Sequence, residues 1–248
     1  MMKTASALDE RIKEVYGESA HLDGITNLVK YKKTDPKILW ILKEMNNPEN
    51  ESLHQREFHK NKNLITYKYW KNTYKRIVAC SYGIIEYAAH NKECGLEWLM
   101  HYNNIPSVND DATVGGFSAN VMDRISIINV NKCSGGGSSS NPAEINRKYQ
   151  DEAVKNLLKE QIEQIEPDII INCSRVYELT EDLIEVYKMQ KKRNCDVYYS
   201  NFYNKLLIHY YHPGATADSE DKMTDERYYN DIMKYYKWWI ENRKWVFL

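Results

Sequence analysis

Short apolar runs rich in β-branched residues alternate along the chain with longer segments of helical periodicity. The apolar runs predict β-strands at 37–42, 124–130, 168–174, 195–201 and 205–211. Strands that alternate with helices are typical of βα units, whose strands join in a mostly parallel sheet. The pattern therefore predicts an α/β fold with three layers, α/β/α, around a short, mainly parallel central sheet. We expect a single domain over 1–248 with its motif-bearing core at 37–217.

The three longest helical patterns lie at 66–89, 141–166 and 224–245. The second pattern opens with Asn141 as an N-cap and Pro142 at the first helical position, and it stops before Pro167. The third follows the cap residue Thr224, and its aromatic residues fall on one helical face, which indicates packing against the sheet. The segment 92–120 is predicted to be an irregular surface excursion.

Composition narrows the class of protein. The net charge of -1 argues against a protein that coats nucleic acid. The five cysteines are odd in number and have no C-x-x-C spacing, so neither a disulfide framework nor a zinc site is indicated. The N-terminus lacks an apolar signal region, and eighteen apolar residues never run together. We expect a soluble, cytoplasmic monomer without metal, cofactor or membrane contact.

One segment departs from this even charge balance. Residues 54–78 contain seven Lys or Arg side chains and one Glu, interleaved with aromatic residues. Such a stretch fits a DNA contact, in which cations meet phosphates and rings stack on bases. It fits equally well a solvated helix face above an aromatic core stripe. For the first reading, the DNA-binding candidates are Lys68, Lys71, Lys75 and Arg76.

Three predicted strands run directly into polar clusters. The first reaches Lys43-Glu44-Met45-Asn46-Asn47-Pro48, the second reaches Asn129-Val130-Asn131-Lys132, and the last reaches His212-Pro213-Gly214. Because the carboxyl ends of parallel strands share one edge, where ligands bind in open α/β sheets, these clusters should converge in space. A single such cluster would be weak support, since strand ends often carry turn residues. Three together predict a ligand site.

These strand ends resemble a known family. The "INVNKC" end is similar to "TNVVKC" of the iron-sulfur uracil-DNA glycosylases, and "YHPG" is similar to the "HPS" motif of the wider uracil-DNA glycosylase superfamily. "EMNNP" resembles the first motif of that superfamily, which is "GMNPG" in one branch and "GEAPG" in another. The resemblance covers roughly 37–217 in order and spacing. It implies a remote member of the superfamily.

The resemblance assigns a role to each matching residue. Asn129 matches the Asn that reads the edge of a flipped base, and its amide suits a pyrimidine because it both donates and accepts hydrogen bonds. His212 matches the histidine that donates a hydrogen bond to the departing base. Two registers fit the first motif, so Glu44 matches the motif acid or Asn46 matches the residue that positions water. Asn47 and Lys132 complete the expected base-binding set.

Departures from the family pattern matter as well. Only Cys133 falls on a cluster-cysteine position, so the iron-sulfur cluster is predicted to be absent. After Cys133 the chain has "SGGGSSS", and Gly214 replaces the serine of "HPS". Small residues there leave room beside the base and offer hydroxyl and backbone N–H groups to DNA. A loop that merely links strand to helix is an equal alternative. The candidate DNA contacts of these two loops are Ser134, Gly135, Gly136, Gly137 and Gly214.

The resemblance implies a monofunctional DNA glycosylase that hydrolyses the N-glycosidic bond of a flipped pyrimidine. The small residues favour a base bulkier than uracil, such as a modified cytosine of viral DNA, and hence a role in defence. One alternative is a catalytically silent module of the same fold that binds nucleic acid or nucleotides. Another is an unrelated α/β enzyme for a small phosphorylated ligand.

Overall fold

The computed structural model of the protein describes residues 5–44, 71–90, 96–106, 116–133, 141–181, 187–192, 195–200, 204–216 and 222–242. The helices are α1 (Ala5–Tyr16), α2 (Leu28–Lys33), α3 (Lys71–His90), α4 (Phe117–Met122), α5 (Pro142–Tyr149), α6 (Glu152–Ile165), α7 (Glu178–Glu181) and α8 (Asp225–Asn242). The strands are β1 (Gly24–Ile25), β2 (Ile38–Glu44), β3 (Ser126–Asn131), β4 (Ile169–Asn172), β5 (Tyr187–Lys192), β6 (Cys195–Ser200) and β7 (Lys205–His209).

The strands form one sheet in the order β1-β3-β2-β4-β7-β6-β5. The four central strands, β3, β2, β4 and β7, run parallel, whereas β1 at one edge and β6 and β5 at the other are antiparallel to their neighbours. Helices cover both faces of the parallel part, which confirms the predicted α/β/α fold. All five predicted strands are present, and β1 and β5 are additional.

Each central strand is buried on both faces, which explains its unbroken apolar sequence. On β2, Trp40 and Leu42 pack in the layer that contains α3 and α8, and Leu39 and Ile41 pack in the layer that contains α5 and α6. The aromatic face of α8 lies in the first of these layers, as its periodicity predicted. The buried aromatic residues of α8 are Tyr228, Tyr229, Tyr235, Tyr236 and Trp239.

The predicted single helix over 141–166 is wrong, because the chain forms two helices there. Asn141 caps α5 as expected, since its side chain accepts a hydrogen bond from the Ala143 N–H at 3.0 Å. Asp151 then caps α6 in the same way, with the Ala153 N–H at 2.8 Å. A short side chain that bonds the backbone two residues ahead starts a new helix instead of continuing the old one.

The predicted irregular excursion at 92–120 is corrected in the part of it that the structure describes. It contains two 3-10 helices, Leu96–Met100 and Tyr102–Asn104, followed by the start of α4. The other two predicted long helices are confirmed where they are described, as α3 from Lys71 and α8 to Asn242. Residues 66–70 and 243–245 lie outside the described residues.

Candidate functional site

The carboxyl ends of β3, β2, β4 and β7 lie side by side at one edge of the sheet. Glu44 pairs in register with Asn131 across β2 and β3, and Asn172 of β4 pairs with Ile41 of β2 and with His209 of β7. The chain beyond these positions carries Lys43 and Glu44 on β2, Ser174 and Arg175 after β4, and Tyr211 and His212 after β7. The described residues of the three clusters that the sequence pointed to therefore share this edge, here called the carboxyl edge.

His212 is held as a neutral hydrogen-bond donor. The backbone N–H of Gly214 donates to its Nδ1 at 3.1 Å, so Nδ1 is an acceptor and the proton of the neutral ring is on Nε2. Burial lowers the pKa of His212 from 6.5 to about 4, and the cations of Lys43, Arg175 and Arg76 add to this effect. At neutral pH the ring therefore presents an uncharged Nε2–H.

Gly214 is required by packing, which corrects the expectation that it enlarges the pocket. A Cβ at this position would lie 2.8 Å from Thr73 Oγ1 of α3 and 3.2 Å from His212 Nδ1. The space that a serine would use is thus already occupied by the Thr73 side chain. The N–H of Gly214 is also engaged with His212, so this group is not offered to DNA.

Arg76 is a structural residue, and its assignment as a DNA contact is corrected. Its side chain is buried on α3, where Nη1 donates to the carbonyls of Pro213 and Ala215 at 2.9 and 2.6 Å and Nη2 donates to Met223 at 2.7 Å. Nε completes the set with Asp225 at 2.8 Å. The guanidinium thus clamps the loop that carries His212, and its burial separates it from phosphates in solvent.

Lys75 is likewise paired within the protein. Its Nζ lies 2.8 Å from Asp225 Oδ2, and this hydrogen bond raises the pKa of Lys75. Burial raises the pKa of Asp225, but the hydrogen bonds from Lys75 and Arg76 outweigh it, so the pKa is lowered overall. For Lys75 and Arg76 the structure favours a structural role over the DNA interpretation, and the buried Arg76 is not part of a solvated helix face either.

Glu44 lies in a chain of polar contacts between β2, β3 and α5. Its Oε2 accepts a hydrogen bond from Asn131 Nδ2 at 2.8 Å, and Asn131 Oδ1 accepts one from Lys148 Nζ at 3.0 Å. The backbone N–H of Cys133 also donates to Asn131 Oδ1 at 3.1 Å. The side-chain oxygen and the NH2 group of Asn131 are both hydrogen-bonded, so Asn131 fixes the orientation of the Glu44 carboxylate. The sequence analysis did not predict this role for Asn131.

Asn129 and Lys132 are directed into the interior instead. Lys132 is fully buried, and its Nζ donates to both oxygens of Asp23 at 2.8 and 2.9 Å and to the Asn129 carbonyl at 3.0 Å. Asp23 also accepts from the backbone N–H of Asn129 at 2.7 Å and from Gln161 Nε2 at 3.1 Å. The base-binding assignment of Lys132 is therefore corrected, because its ammonium is buried in an ion pair with Asp23.

The side-chain amide of Asn129 belongs to the same buried cluster. Its Nδ2 lies 3.4 Å from Asp23 Oδ2, and the residue is 1 % exposed. In this conformation the amide is directed to the protein rather than to a pocket at the carboxyl edge. A base-reading role for Asn129 would require the side chain to leave Asp23.

Arg175 is a member of the edge that the sequence analysis missed. It is exposed and has φ of +68°, a left-handed conformation that is uncommon outside glycine. The buried Asn172 builds the turn around it, since its Oδ1 accepts from the N–H and the hydroxyl of Ser174 at 3.1 and 2.6 Å and its Nδ2 donates to the Val176 carbonyl at 3.0 Å. The signal was the polar "NCSR" end of β4, the one central strand end left out of the prediction.

Several predicted site residues lie outside the described residues, namely Asn46, Asn47, Lys68, Ser134, Gly135, Gly136 and Gly137. Lys71 is the first residue of α3, and its side chain also lies outside them. Within the described ranges, no three His, Cys, Asp or Glu side chains are grouped so that they could hold a metal ion. No described helix has the length and apolar character needed to cross a membrane.

The fold and this edge define a class only, a three-layer α/β/α protein with a polar site at the carboxyl ends of its parallel strands. Comparisons with protein-family models, with curated proteins and with solved structures gave no match.

Proposed function

We propose that the protein is a DNA glycosylase that hydrolyses the N-glycosidic bond of a flipped pyrimidine. The observation that carries the proposal is the state of His212, a neutral imidazole whose proton is held on Nε2 by the Gly214 N–H. A carboxylate, Glu44, is fixed at the same edge of the sheet. Loss of a base needs a donor for the departing base and an anion for the sugar, and the edge offers both.

The chemistry follows from where charge develops. As the glycosidic bond breaks, the base gains negative charge and the sugar becomes cation-like. Because the pKa of His212 is lowered to about 4, the ring is not protonated at neutral pH and cannot transfer a proton from an imidazolium to the base. The neutral ring would instead stabilise the departing base by a hydrogen bond from Nε2–H. The positive charge of Arg175 favours the same anionic base. Glu44 would stabilise the sugar or activate the attacking water.

For the substrate, we propose a pyrimidine bulkier than uracil, such as a modified cytosine of viral DNA, and a role in defence. The support is the run of small residues at 135–140 after β3. DNA would be bound by a monomer in the cytoplasm, with Arg175 as a phosphate contact. Substituting Gly136 by a bulky residue should suppress excision of the large base more than excision of uracil, because added volume clashes only with the larger ligand.

The test is base release from DNA. Duplex and single-stranded DNAs that each carry one altered base are incubated with the protein, and abasic sites are revealed as strand breaks with alkali. His212→Asn should lower the rate by about a hundredfold or more, and Glu44→Gln should also lower it. The matched control is His101→Asn, because His101 is exposed and lies outside the edge. Equal rates for His212→Asn and His101→Asn would refute the role of His212.

The second candidate is a module that binds nucleic acid without catalysis. It is favoured by the buried position of the Asn129 amide, which leaves base reading without the residue assigned to it. In that case DNA binding would survive in His212→Asn and Glu44→Gln, and the unaltered protein would release no base from any of the DNAs.

A further inference from the structure

Lys43 stands out at the carboxyl edge because the proposed hydrolysis gives its amine no chemical task. It precedes Glu44 at the end of β2, between β3 and β4. The register that pairs Ile41 with Asn172 and Asn172 with His209 places the end of β2 beside the segments that follow β4 and β7. These segments carry Arg175 and His212, which lie close enough to Lys43 for their charges to act on one another. The residue is half-buried. Among the described residues, no hydrogen bond or ion pair engages its ammonium.

A lysine in such surroundings is a potential nucleophile. Burial lowers the pKa of Lys43, and the positive charge of Arg175 lowers it further, whereas Cys173 and Glu44 act in the opposite direction. A desolvated lysine beside another cation keeps more of its amine unprotonated, and such amines form Schiff bases with carbonyl groups. The product of base release from DNA is a deoxyribose whose ring-opened form carries an aldehyde at C1′.

We propose that Lys43 forms a Schiff base with the abasic deoxyribose and that the protein thereby cleaves DNA at abasic sites. This is a second activity, and it departs from the monofunctional expectation. It rests on the proposed function for the choice of DNA as substrate. Glu44, adjacent in the chain and fixed by Asn131, is the base that serves the elimination.

The reaction balances without an external oxidant or reductant. The free amine of Lys43 adds to the C1′ aldehyde, and the adduct takes up one proton from solvent and loses one water, which gives the protonated imine. Glu44 removes a proton from C2′, the new double bond forms between C2′ and C3′, and the C3′–O bond breaks with its electron pair leaving on the phosphate. Water then hydrolyses the imine, which frees Lys43 and an unsaturated aldehyde on the upstream strand.

The experiment uses DNA in which the abasic site is made beforehand, so it does not depend on base release by the protein. Protein and DNA are mixed with borohydride, which reduces an imine to a stable secondary amine, and the covalent adduct is measured on a denaturing gel. Lys43→Arg keeps the charge but removes the nucleophile, and we expect at least about a hundredfold less adduct. Peptide mapping of the unaltered protein should place the adduct on Lys43, which covers the case in which Lys43→Arg fails to fold.

Lys205→Arg is the matched control. Lys205 is also half-buried, and burial lowers its pKa as well, but it lies at the amino end of β7, the opposite edge of the sheet. It should give as much adduct as the unaltered protein. No adduct with the unaltered protein, or an adduct mapped to another residue, overturns the proposal. Adduct without base release would leave the lyase standing and refute the glycosylase, whereas base release without adduct would do the reverse.

Discussion

The end of β3 and the ends of β4 and β7 all carry polar residues, but the charges there are in opposite physical states. After β3, the charge of Lys132 is fully buried and matched by Asp23, whose oxygens accept hydrogen bonds from Lys132, Asn129 and Gln161. After β4 and β7, cationic Arg175 lies near a neutral His212 and near Lys43, and the cations repel one another. In the first region the buried charges of Lys132 and Asp23 neutralise each other. In the second region the like charges of Lys43 and Arg175 lie close together.

The comparison teaches how to separate structural from functional polar residues at strand ends. Buried opposite charges are tolerated because every partner is present, and removing one leaves the other exposed to a low dielectric. Like charges held together lower stability and are retained where a ligand of opposite charge or a reaction repays them. Substitutions can test this contrast, beginning with the buried Asp23–Lys132 pair.

The largest effect is expected from Asp23→Ala, which leaves the buried Lys132 ammonium without a counter-charge. The free energy of unfolding should fall by about 3–5 kcal/mol, measured by denaturant titration. Glu152→Ala is the control, because the Glu152 side chain, which pairs with Lys155 at 2.9 Å, is 76 % exposed, so the pair should contribute less than about 1 kcal/mol. Similar losses of unfolding free energy in the two variants would show that the buried Asp23 cluster stabilises the fold no more than an exposed pair does.

Arg76→Met should cost about 3 kcal/mol, because it leaves three carbonyls and Asp225 without their donor. It should also release the loop that carries His212, which NMR of the imidazole would report as loss of the Nε2–H tautomer. Lys75→Met removes the other cation bound to Asp225, from a more exposed position, and should cost about 1 kcal/mol. A normal tautomer in Arg76→Met would rule out the clamp.

Acid should weaken the fold through His212. Above pH 6.5 neither state binds the proton, so His212 adds no pH dependence there. Between pH 6.5 and about 4 the unfolded chain takes up the proton and the folded protein does not, so the free energy of unfolding falls, by about 3 kcal/mol. The free energy of unfolding, measured at several pH values within this window, should therefore fall more steeply with decreasing pH in the unaltered protein than in His212→Gln. Parallel pH profiles would contradict the lowered pKa.

The smallest effect is expected from Gly214→Ala, about 1 kcal/mol, because the new methyl group meets the Thr73 hydroxyl. Thr73→Ala removes that hydroxyl, so the double variant should recover most of the loss, as a double-mutant cycle would measure. Additive losses would place the conflict elsewhere, for instance at the His212 ring.

The central strands could be predicted because each is an apolar run buried on both faces. β1 spans only Gly24–Ile25, too short to show a period, and β5 reads "YKMQKK", which carries no apolar run. The helix boundary at Asp151 was visible as a capping residue but was overridden by continuous periodicity. Sequence thus reports burial well and reports competing local hydrogen bonds poorly.

The candidate site was predicted in part for the same reason. Glu44 and His212 follow apolar runs, so the shared edge of a parallel sheet brings them together. The partner of Lys132 could not be found in this way, because Asp23 is 109 residues away in sequence and no local pattern links them. Arg76 was misassigned because its donors are taken by backbone carbonyls and by Asp225, which is 149 residues away in sequence, and no local side-chain pattern reveals either.

The position of β2 in the sheet has a consequence for folding during synthesis on the ribosome. β2 is made early, yet its neighbours β3 and β4 begin at Ser126 and Ile169. At about 5–20 residues per second, several seconds pass before β3 emerges. For that time the apolar segment that holds Trp40 and Ile41 lacks the two strands that flank it in the folded protein, so it is exposed to contact with other chains.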